Sequence, residues 1–478
     1  MNVFERILTA RGLTSEDTAV FLSPDYSGLH DPFLLPDMNR AVDRLIKAKE
    51  NQDRITIYGD YDIDGLTATT LLMDALSGFG FKNLKAFIPN RFVEGYGLTV
   101  DAIEKIADDG ADLIITVDCG SLSHKEIDRA KELGIDVIVT DHHNVAKDQP
   151  AAIAVINPKR LLMDNPDSYK DYKLITTEKL YPFLDLAGVG VAFKLIQALQ
   201  TRLDDLPKGQ EKWLLDLVAL GTVCDVVTLL DENRTFVFWG LKVLAKTKRP
   251  GLRALMAIAG VEPKNINARA LGFMLGPRLN AAGRLETAEY SLALLRSTDG
   301  MAALNIARQL DDLNKARRTE QDRILEEAVQ QAENYKNDNV LVVSNKGWSH
   351  GIIGIVAAKL LEKYKKPTFV LEEMGEESKG SARSYGDFSA ADAIRFADDL
   401  ITKGGGHKLA AGVTLPTKNI EPFRKRVNEF YLQQKLKNQA RLLLPVADTD
   451  AYLSELTEDL IDQISTLEPF GNGNLQPV

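Results

Sequence analysis

Short apolar runs alternate with helix-like segments across residues 54–160. The runs are rich in β-branched residues and predict strands at 54–59, 84–88, 113–117, 136–140 and 152–156. Apolar residues at helical spacing predict helices between them, at 66–77, 99–108 and 124–133. Nearly continuous apolar strands that alternate with helices are typical of a parallel sheet covered on both faces. This region therefore predicts an α/β domain.

A long polar segment separates this domain from a second, smaller one. Residues 301–334 have a narrow apolar stripe and dense charge, which is typical of a helix that bridges domains. Strand-like runs at 339–344 and 368–371 enclose a helix-like segment that begins near Gly351. The fold class that we predict is therefore α/β, with a parallel-sheet domain joined by a long helix to a second, smaller α/β domain.

The composition is that of a soluble globular protein, because 45% of the 478 residues are apolar and 26% are charged. The longest apolar runs are far shorter than the ~20 residues that a membrane span requires. The N-terminus has no secretory signal pattern. Two cysteines, Cys119 and Cys224, suit a reducing compartment. We therefore expect a cytoplasmic protein without membrane contact.

Charge is distributed unevenly along the chain. The net charge of −10 argues against a uniformly basic surface for nucleic acid. Residues 241–296 nevertheless contain ten lysines and arginines against three glutamates, a local excess of +7. A basic surface on an acidic protein suits an anionic substrate held in one channel. Uneven charge on an ordinary surface is the alternative.

The first candidate chemistry is the turn Tyr58-Gly-Asp-Tyr-Asp-Ile-Asp-Gly65, between a predicted strand and a predicted helix. Alternate residues at a strand end point to one side, so Asp60, Asp62 and Asp64 would crowd together. Two such carboxylates repel each other by roughly 4 kcal/mol at an effective dielectric constant of about 20. Either their pKa values rise or a cation neutralises them. A polar turn with solvated aspartates is the alternative.

Further polar groups follow other predicted strands. Asp118 follows 113–117, and Asp141-His142-His143 follows 136–140. Because ligands of parallel sheets lie beyond the carboxyl ends of the strands, these groups should lie in one place. Each also has a simpler interpretation, since an aspartate can cap a turn and a histidine can be a core residue.

Asp225 ends an apolar helix-like segment, where an unpaired buried carboxylate would be costly. Several carboxylates with one or two imidazoles suit Mn²⁺ or Mg²⁺ better than a thiolate-preferring ion. Enough carboxylates are present for two ions that share an aspartate, an arrangement used for in-line attack on phosphates. The pattern therefore predicts a two-metal hydrolytic site.

The triplet Asp141-His142-His143, with residues 59–65 and 118–120, resembles the DHH phosphoesterase superfamily. Within it, the chain resembles the RecJ family of single-strand-specific 5′→3′ DNA exonucleases over nearly its whole length. Further family-like blocks lie at 90–97, 221–225, 277–284, 350–354, 380–383 and 404–412. By this resemblance we expect an N-terminal helical segment at 1–50, a DHH catalytic domain at 51–240, a basic segment with the connecting helix at 241–337, a DHH-associated substrate-binding domain at 338–440 and the start of a truncated OB-fold region at 441–478.

The resemblance also implies roles for individual residues. It implies that two ions, Mn²⁺ or Mg²⁺, are held by Asp62, Asp64, Asp118, His142 and Asp225, with Asp118 as the bridge. It implies catalytic or supporting roles for Asp60, Asp141 and His143. It implies substrate contacts from Arg91, Arg278, Asn280, Arg284, His350, Ser381, Arg383, Gly405, Gly406 and His407. Arg91 would take the terminal 5′-phosphate, and the loop 404–406 would expose backbone N–H groups to an anion.

By the same resemblance we expect a monomeric, metal-dependent exonuclease that releases mononucleotides from the 5′ end of single-stranded DNA, in DNA repair and recombination. A single-strand-binding protein and a helicase are candidate partners. A DHH-family oligoribonuclease or nucleotide phosphatase that acts on short substrates is the alternative. An inactive nucleic-acid-binding subunit is another, although the full set of aspartates and histidines argues against it.

Overall fold

The computed structural model describes residues 1–91, 94–95, 97–164, 180–436, 440–444 and 446–478. The chain forms two units, Met1–Asp312 with Asp448–Pro477, and Leu313–Ala447 with Val478. The boundary lies within the long helix Gly300–Asn334, which extends over nearly the residues predicted from its charge pattern. In the described parts of the chain, no helix is both long and apolar enough to cross a membrane.

The first unit contains a parallel five-stranded sheet in the order β2-β1-β3-β4-β5. Its strands are β1 (Ile55–Gly59), β2 (Leu84–Phe87), β3 (Leu113–Val117), β4 (Asp136–Thr140) and β5 (Ala154–Ile156). Strands β1 and β3 are buried along their whole length, because helices cover both faces of the sheet. The predicted α/β class and all five predicted strands are confirmed.

Among the described residues, fifteen helices precede the second sheet in the chain. They are α1 (Val3–Ala10), α2 (Ser15–Leu22), α3 (Met38–Asn51), α4 (Ile63–Gly78), α5 (Val100–Asp108), α6 (His124–Glu132), α7 (Arg160–Asp164), α8 (Gly188–Gln200), α9 (Leu215–Cys224), α10 (Asp231–Leu244), α11 (Pro250–Ala259), α12 (Ala268–Ala270), α13 (Gly276–Leu285), α14 (Glu289–Arg296) and α15 (Gly300–Asn334). Helix α4 packs against both α8 and α9 and is apolar on nearly all sides. A helix with that pattern is a core element.

The second unit contains a mixed sheet in the order β6-β7-β8-β10-β9. Its elements are β6 (Leu341–Lys346), α16 (His350–Tyr364), β7 (Thr368–Met374), β8 (Glu377–Arg383), α17 (Ala390–Phe396), β9 (Lys403–Gly406), β10 (Ala410–Pro416) and α18 (Ile420–Gln433). One face packs against α17 and α18 through a cluster that includes Phe388, Phe423 and Phe430. Helix α16 packs on β7 and β8.

The glycine-rich segment 404–406 was predicted as a loop, and this prediction is wrong. It forms the edge strand β9, which pairs antiparallel with β10. Backbone hydrogen bonds hold this strand, so it needs no side chains of its own. A Cβ at Gly404 would lie 2.5 Å from the Ile394 side chain, so glycine lets the edge strand approach α17 closely.

Residues 1–50 and 448–477 both belong to the first unit. Leu460 in the last helix, α19 (Glu458–Ser465), forms a buried cluster with Val3 and Ile7. Arg11 forms an ion pair of 2.9 Å with Asp448. The described residues of 441–478 contain helical turns and one isolated β-bridge. The predicted domain bounds, including the N-terminal helical segment at 1–50 and the start of an OB-fold at 441–478, stay predictions.

Candidate metal centre

Three strand ends bring acidic and imidazole side chains to one edge of the parallel sheet. Asp60 follows β1, Asp118 follows β3, and Asp141 follows β4, and all three carboxylates are buried. Neighbouring parallel strands end at the same edge, so residues remote in sequence meet there. The expectation drawn from the strand pattern therefore matches the observed placement.

The turn after β1 is shaped by its own backbone contacts. Asp62 caps α4, because its Oδ1 accepts hydrogen bonds from the backbone N–H groups of Asp64 at 2.9 Å and Gly65 at 3.2 Å. A Cβ at Gly65 would lie 2.5 Å from the backbone oxygen of Asp60. Glycine at this position therefore allows the turn to fold back tightly and bring Asp60 close to the helix start.

Asp64 is fixed by a second helix. Its carboxylate accepts hydrogen bonds from the backbone N–H groups of Gly188 at 2.6 Å and Val189 at 2.8 Å, at the start of α8. The positive end of a helix dipole favours a negative group there. A Cβ at Gly188 would lie 2.8 Å from the Cβ of Asp118, so a larger residue would displace that aspartate.

Asp118 has a positive φ of 61°, an uncommon backbone conformation for a residue other than glycine. Strain of this kind persists only where the surroundings hold it, and it is frequent at functional sites. Here it turns the chain sharply after β3 and keeps the Asp118 carboxylate in the cluster.

His142 joins the carboxylates from three elements. Its Nε2 lies 3.1 Å from Asp118 Oδ1, 3.6 Å from Asp225 Oδ2 and 3.8 Å from Asp64 Oδ2. Asp225 reaches this point from the end of α9. Three groups have ligand atoms within 4.8 Å of one another: Asp60–Asp62–Asp118, Asp64–His142–Asp225 and Asp118–His142–His143. The arrangement therefore brings together all five predicted metal ligands and places Asp60 and His143 among them.

Burial and mutual repulsion shift the pKa values of these carboxyls upward. Burial, reinforced by neighbouring aspartates, raises the pKa of Asp64 to about 7 and that of Asp225 to about 9. The same causes raise the pKa values of Asp60 and Asp118 well above their usual range. Without a cation, part of this cluster therefore holds protons at neutral pH.

The two histidines have opposite ionisation preferences. Burial lowers the pKa of His142 to about 3, and the neighbouring charge of His143 adds to this effect, so its imidazole is neutral. Burial also acts to lower the pKa of His143, but Asp141, with its Oδ1 2.9 Å from His143 Nδ1, raises it to about 9. A neutral imidazole is the form that binds a metal, whereas a protonated one can donate a proton.

Several buried polar atoms form no hydrogen bond with the described residues: Asp60 Oδ1, Asp118 Oδ1 and His142 Nε2. Buried polar groups in folded proteins are almost always satisfied. A divalent cation among oxygen donors and one imidazole would satisfy all three. The donor set therefore fits Mn²⁺ or Mg²⁺.

Two supporting residues were missed in the sequence. Asn157 donates from Nδ2 to the Ser121 hydroxyl and to the backbone oxygen of His143, both at 2.9 Å. Ser121 donates its backbone N–H to Asp141 Oδ2 at 3.0 Å. Both therefore hold the Asp141–His143 pair in position. Asn157 directly follows β5, so the strand-end rule applied to that strand would have identified it.

Some predicted substrate residues of the first unit lie beside the centre, and others are engaged elsewhere. The guanidinium of Arg91 lies 4.9 Å from the centre of the Tyr61 ring. Positive charge from Arg284 lowers the pKa of Tyr61, although burial, the larger effect, raises it to about 12. Arg278 pairs with Asp311 at 2.8 Å, so part of the basic excess of 241–296 is neutralised internally.

Residues 277–284 form part of α13. Asn280 is half-buried on this helix. A π-helical segment, Leu271–Leu275, precedes α13, and such segments are frequent near functional sites. A Cβ at Gly283 would lie 3.0 Å from the backbone oxygen of Tyr61, so this glycine lets the helix approach the aspartate turn.

In the second unit, the predicted substrate residues meet on one sheet face. Register places Ser381 of β8 opposite Gly412 of β10, and Gly412 opposite Gly405 of β9. Arg383 Nη1 donates to Ser381 Oγ at 3.2 Å. The neighbouring residues Ala382 and Ala411 point into the hydrophobic core on the opposite face.

The two histidines and the last glycine of this set lie around that face. His350 begins α16 and donates its backbone N–H to Glu372 Oε2 at 3.0 Å. Gly406 ends β9, and His407 follows it and donates its backbone N–H to the backbone oxygen of Ala410 at 2.8 Å. Their roles in substrate binding stay predictions.

Family comparisons agree with this geometry. The model of the DHH family N-terminal domain matches residues 54–222, and that of the DHHA1 domain matches residues 337–433. The single-stranded-DNA-specific exonuclease RecJ of Escherichia coli (strain K12) is 36% identical over 448 residues, covering 89% of this chain and 74% of that protein. The chain belongs to the RecJ family. The RecJ of Bacillus subtilis (strain 168) is 38% identical over 478 residues, but the chain spans only 57% of its length.

Solved RecJ structures match as well. RecJ from Thermus thermophilus in complex with Mn²⁺ has a TM-score of 0.82 at 30% identity, covering 99% of this chain and 65% of that one. Another exonuclease RecJ bound to manganese has a TM-score of 0.72 at 34% identity, covering 86% of this chain and 98% of that one. The resemblance seen in the sequence is therefore confirmed, whereas the roles of individual residues stay predictions.

Proposed function

We propose that this chain is a Mn²⁺- or Mg²⁺-dependent exonuclease that hydrolyses single-stranded DNA from its 5′ end and releases mononucleotides. The observation that carries the proposal is the cluster in which Asp118 and His142 each belong to two groups of potential ligands. Membership of the RecJ family, whose curated members are named single-stranded-DNA-specific exonucleases, supports the substrate class.

The buried cluster would hold two ions. Asp60 or Asp62 with Asp118 would hold one ion, and Asp64, His142 and Asp225 would hold the other, consistent with the grouping of their ligand atoms. When bound, such ions supply a nucleophile at neutral pH and compensate the charge that develops on the phosphate. Asp118 would be the bridge, because Asp118 and His142 each belong to two groups but only a carboxylate has two oxygens to offer to two ions.

His143 and Asp141 would act on the leaving group. Asp141 holds Nδ1 of His143 at 2.9 Å, which directs the opposite ring nitrogen, Nε2, away from that carboxylate. Although burial acts to lower it, Asp141 raises the pKa of His143 to about 9, which favours a ring that carries a proton. We therefore assign His143 Nε2 as the proton donor to the departing 3′ oxygen.

Positioning of the strand would fall to arginines and small residues. In the first unit, Arg91, Arg278, Asn280 and Arg284 would contact phosphates, with Arg91 on the 5′-terminal one. In the second unit, the row Ser381–Gly412–Gly405, with Arg383, would let a nucleotide backbone approach closely. His350, Gly406 and His407 would border that contact.

We further propose that the protein acts as a cytoplasmic monomer in DNA repair and recombination, with a single-strand-binding protein and a helicase as partners. A nuclease specific for single strands requires another protein to unwind duplex DNA, which supports a helicase. Both cysteines are free thiols, which suits a reducing compartment.

The test is degradation of a 5′-phosphorylated single strand with Mn²⁺, using separate 5′ and 3′ labels. We expect mononucleotides from the 5′ end first, and no turnover of blunt duplex DNA. Release from the 3′ end would contradict the proposal. Equal turnover of dinucleotides and long strands would favour the short-substrate alternative.

A further inference from the structure

The first unit has a cavity away from the metal centre. It lies at the C-terminal end of α4 and the N-terminal end of α9, whereas the metal centre lies at their other ends. Helix α4 carries Asp64 in its first turn and Asp74 ten residues later, which corresponds to about 15 Å along a helix. Helix α9 begins beside Asp216 and ends at Asp225. Asp74 and Asp216 line this cavity, so it is separate from the ion cluster.

One arginine ties the floor of this cavity together. Arg249 pairs with Asp74, and its Nε lies 3.0 Å from Asp216 Oδ2. The Thr247 hydroxyl also donates to Asp216, at 2.9 Å. Both carboxylates are therefore compensated by Arg249, which joins α4 and α9 at the start of α11.

The rest of the cavity lining combines an aromatic ring with two cationic side chains. The indole of Trp213 is half exposed, and the side chains of Lys248 and Arg296 are exposed. Thr298 and Pro250, the first residue of α11, also line the cavity. The volume is about 470 Å³, which is in the range for a small organic ligand.

We propose that this cavity binds one nucleotide, either a free nucleoside 5′-monophosphate or one unit of a single strand. The Trp213 indole offers a flat face for a base, and stacking on an aromatic ring tolerates every base. Lys248 and Arg296 are the cations left for the phosphate, because Arg249 is engaged by two carboxylates.

Inorganic phosphate would use the same cations but would leave the indole exposed. The ligand therefore needs both an anion and a planar ring, and a nucleotide is the smallest common molecule with both. This site does not depend on the proposed catalysis, although its ligand belongs to the same chemical class as the proposed product.

The test is binding to the full chain in EDTA, so that no strand is cleaved. Probes are thymidine 5′-monophosphate, inorganic phosphate and a twelve-nucleotide single strand, measured by titration calorimetry and tryptophan fluorescence. The chain has three tryptophans. Trp348 is fully buried and Trp239 donates its indole N–H to the backbone oxygen of Pro24, so a change in fluorescence reports mainly on Trp213.

We expect Trp213→Ala and Arg296→Gln each to weaken mononucleotide binding at least tenfold, and Trp213→Phe to restore most of it. Arg253→Gln is the matched control, because Arg253 is exposed on α11 but does not line the cavity. Asp225→Asn, at the metal centre, should leave this binding unchanged. Circular dichroism of each variant checks that it is folded.

A loss seen only with the twelve-nucleotide strand would identify the ligand as a unit of a strand. Phosphate that binds as tightly as the mononucleotide, with no effect of Trp213→Ala, would overturn the proposal. Affinities for both nucleotide probes that are unchanged in Trp213→Ala and Arg296→Gln would also overturn it. Because no turnover is measured, a failure here is distinguishable from a failure of the proposed exonuclease activity.

Discussion

The two sheets of this protein place their polar residues in opposite environments. At the edge of the parallel sheet, Asp60, Asp118 and Asp141 are buried among apolar strands and helices. On the mixed sheet, Gly405 and Gly412 are exposed, beside the partly exposed Ser381. The first arrangement concentrates charge in a desolvated place and suits small cations. The second provides an exposed strip at β9 and Gly412 of β10, which suits an extended chain.

This difference has a topological cause. All strands of the first sheet run parallel, so their carboxyl ends collect side chains from separate parts of the sequence at one edge. The second sheet ends in an antiparallel hairpin at its edge, and its residues alternate between a core face and a face that α16 covers over β7 and β8 and that is exposed at β9. The first sheet therefore forms a compact buried site, and the second forms a more exposed surface.

The largest effect should follow from removing the bridge of the buried cluster. Asp118→Ala should lower turnover of single-stranded DNA by roughly a thousandfold or more, about 4 kcal/mol, and should reduce bound manganese. The matched control is Asp112→Ala, which lies just before the opposite end of β3 and pairs with Arg54. Loss of less than about tenfold for Asp118→Ala would show that the bridging role is wrong.

A change at Arg383 of the mixed sheet should affect binding and leave the ions in place. Arg383→Gln should raise KM for single-stranded DNA by roughly tenfold because it removes a cation that lies beside Ser381. Metal content should equal that of wild type. Arg395→Gln, an exposed arginine on α17, is the control. If Arg383→Gln lowers only kcat or metal content, the contrast between the two sheets fails.

The buried carboxyls of the metal centre should make the stability of the fold depend on pH. The pKa values of Asp64 and Asp225, about 7 and 9 in the folded chain, exceed the value of about 3.9 expected when unfolded. The stability that these two protonated carboxyls contribute is therefore fully present below about pH 4. It is lost as the pH rises through about 7 and 9. In EDTA, the unfolding temperature should decrease from pH 5 to pH 9 by roughly 5 °C.

Added Mn²⁺ should reverse this loss, with its largest stabilisation at pH 9, because the ion replaces the protons of the cluster. Thermal unfolding followed by circular dichroism, with and without the ion, measures both effects. Asp225→Asn should flatten the pH dependence. A chain whose metal-free stability increases towards pH 9 would contradict the assignment of raised carboxyl pKa values.

The smallest effect on activity should come from Gly405→Ala on β9. The same change at the neighbouring Gly406 should act on stability instead. Gly405→Ala places a methyl group in open space, so stability should be unchanged and KM for single strands should rise by roughly threefold. Gly406→Ala should instead destabilise the fold by about 1–3 kcal/mol, because its φ is 138° and its Cβ would lie 2.6 Å from the Ala411 Cα. Urea unfolding and steady-state kinetics separate the two outcomes.

Local sequence patterns were enough to predict the parallel sheet, the long helix α15 and the strand ends that carry Asp60, Asp118 and Asp141. These follow from local patterns, since apolar periodicity specifies an element and an aspartate after a strand lies at its end. Asp225 was also expected in the site, whereas the N–H groups of Gly188 and Val189 that donate to Asp64 became visible only in the fold. Their approach depends on helix packing, which no local pattern records.

The second unit shows the same limit. Glycines at 404–406 have the local pattern of a loop, yet pairing with β10 makes them a strand, because the backbone partners lie elsewhere in the fold. In the first unit, the C-terminal segment likewise depends on contacts with α1, some 450 residues away in the chain. The sequence therefore indicates which reactive side chains lie at the ends of predicted elements. Packing between distant segments determines which groups meet and whether water reaches them.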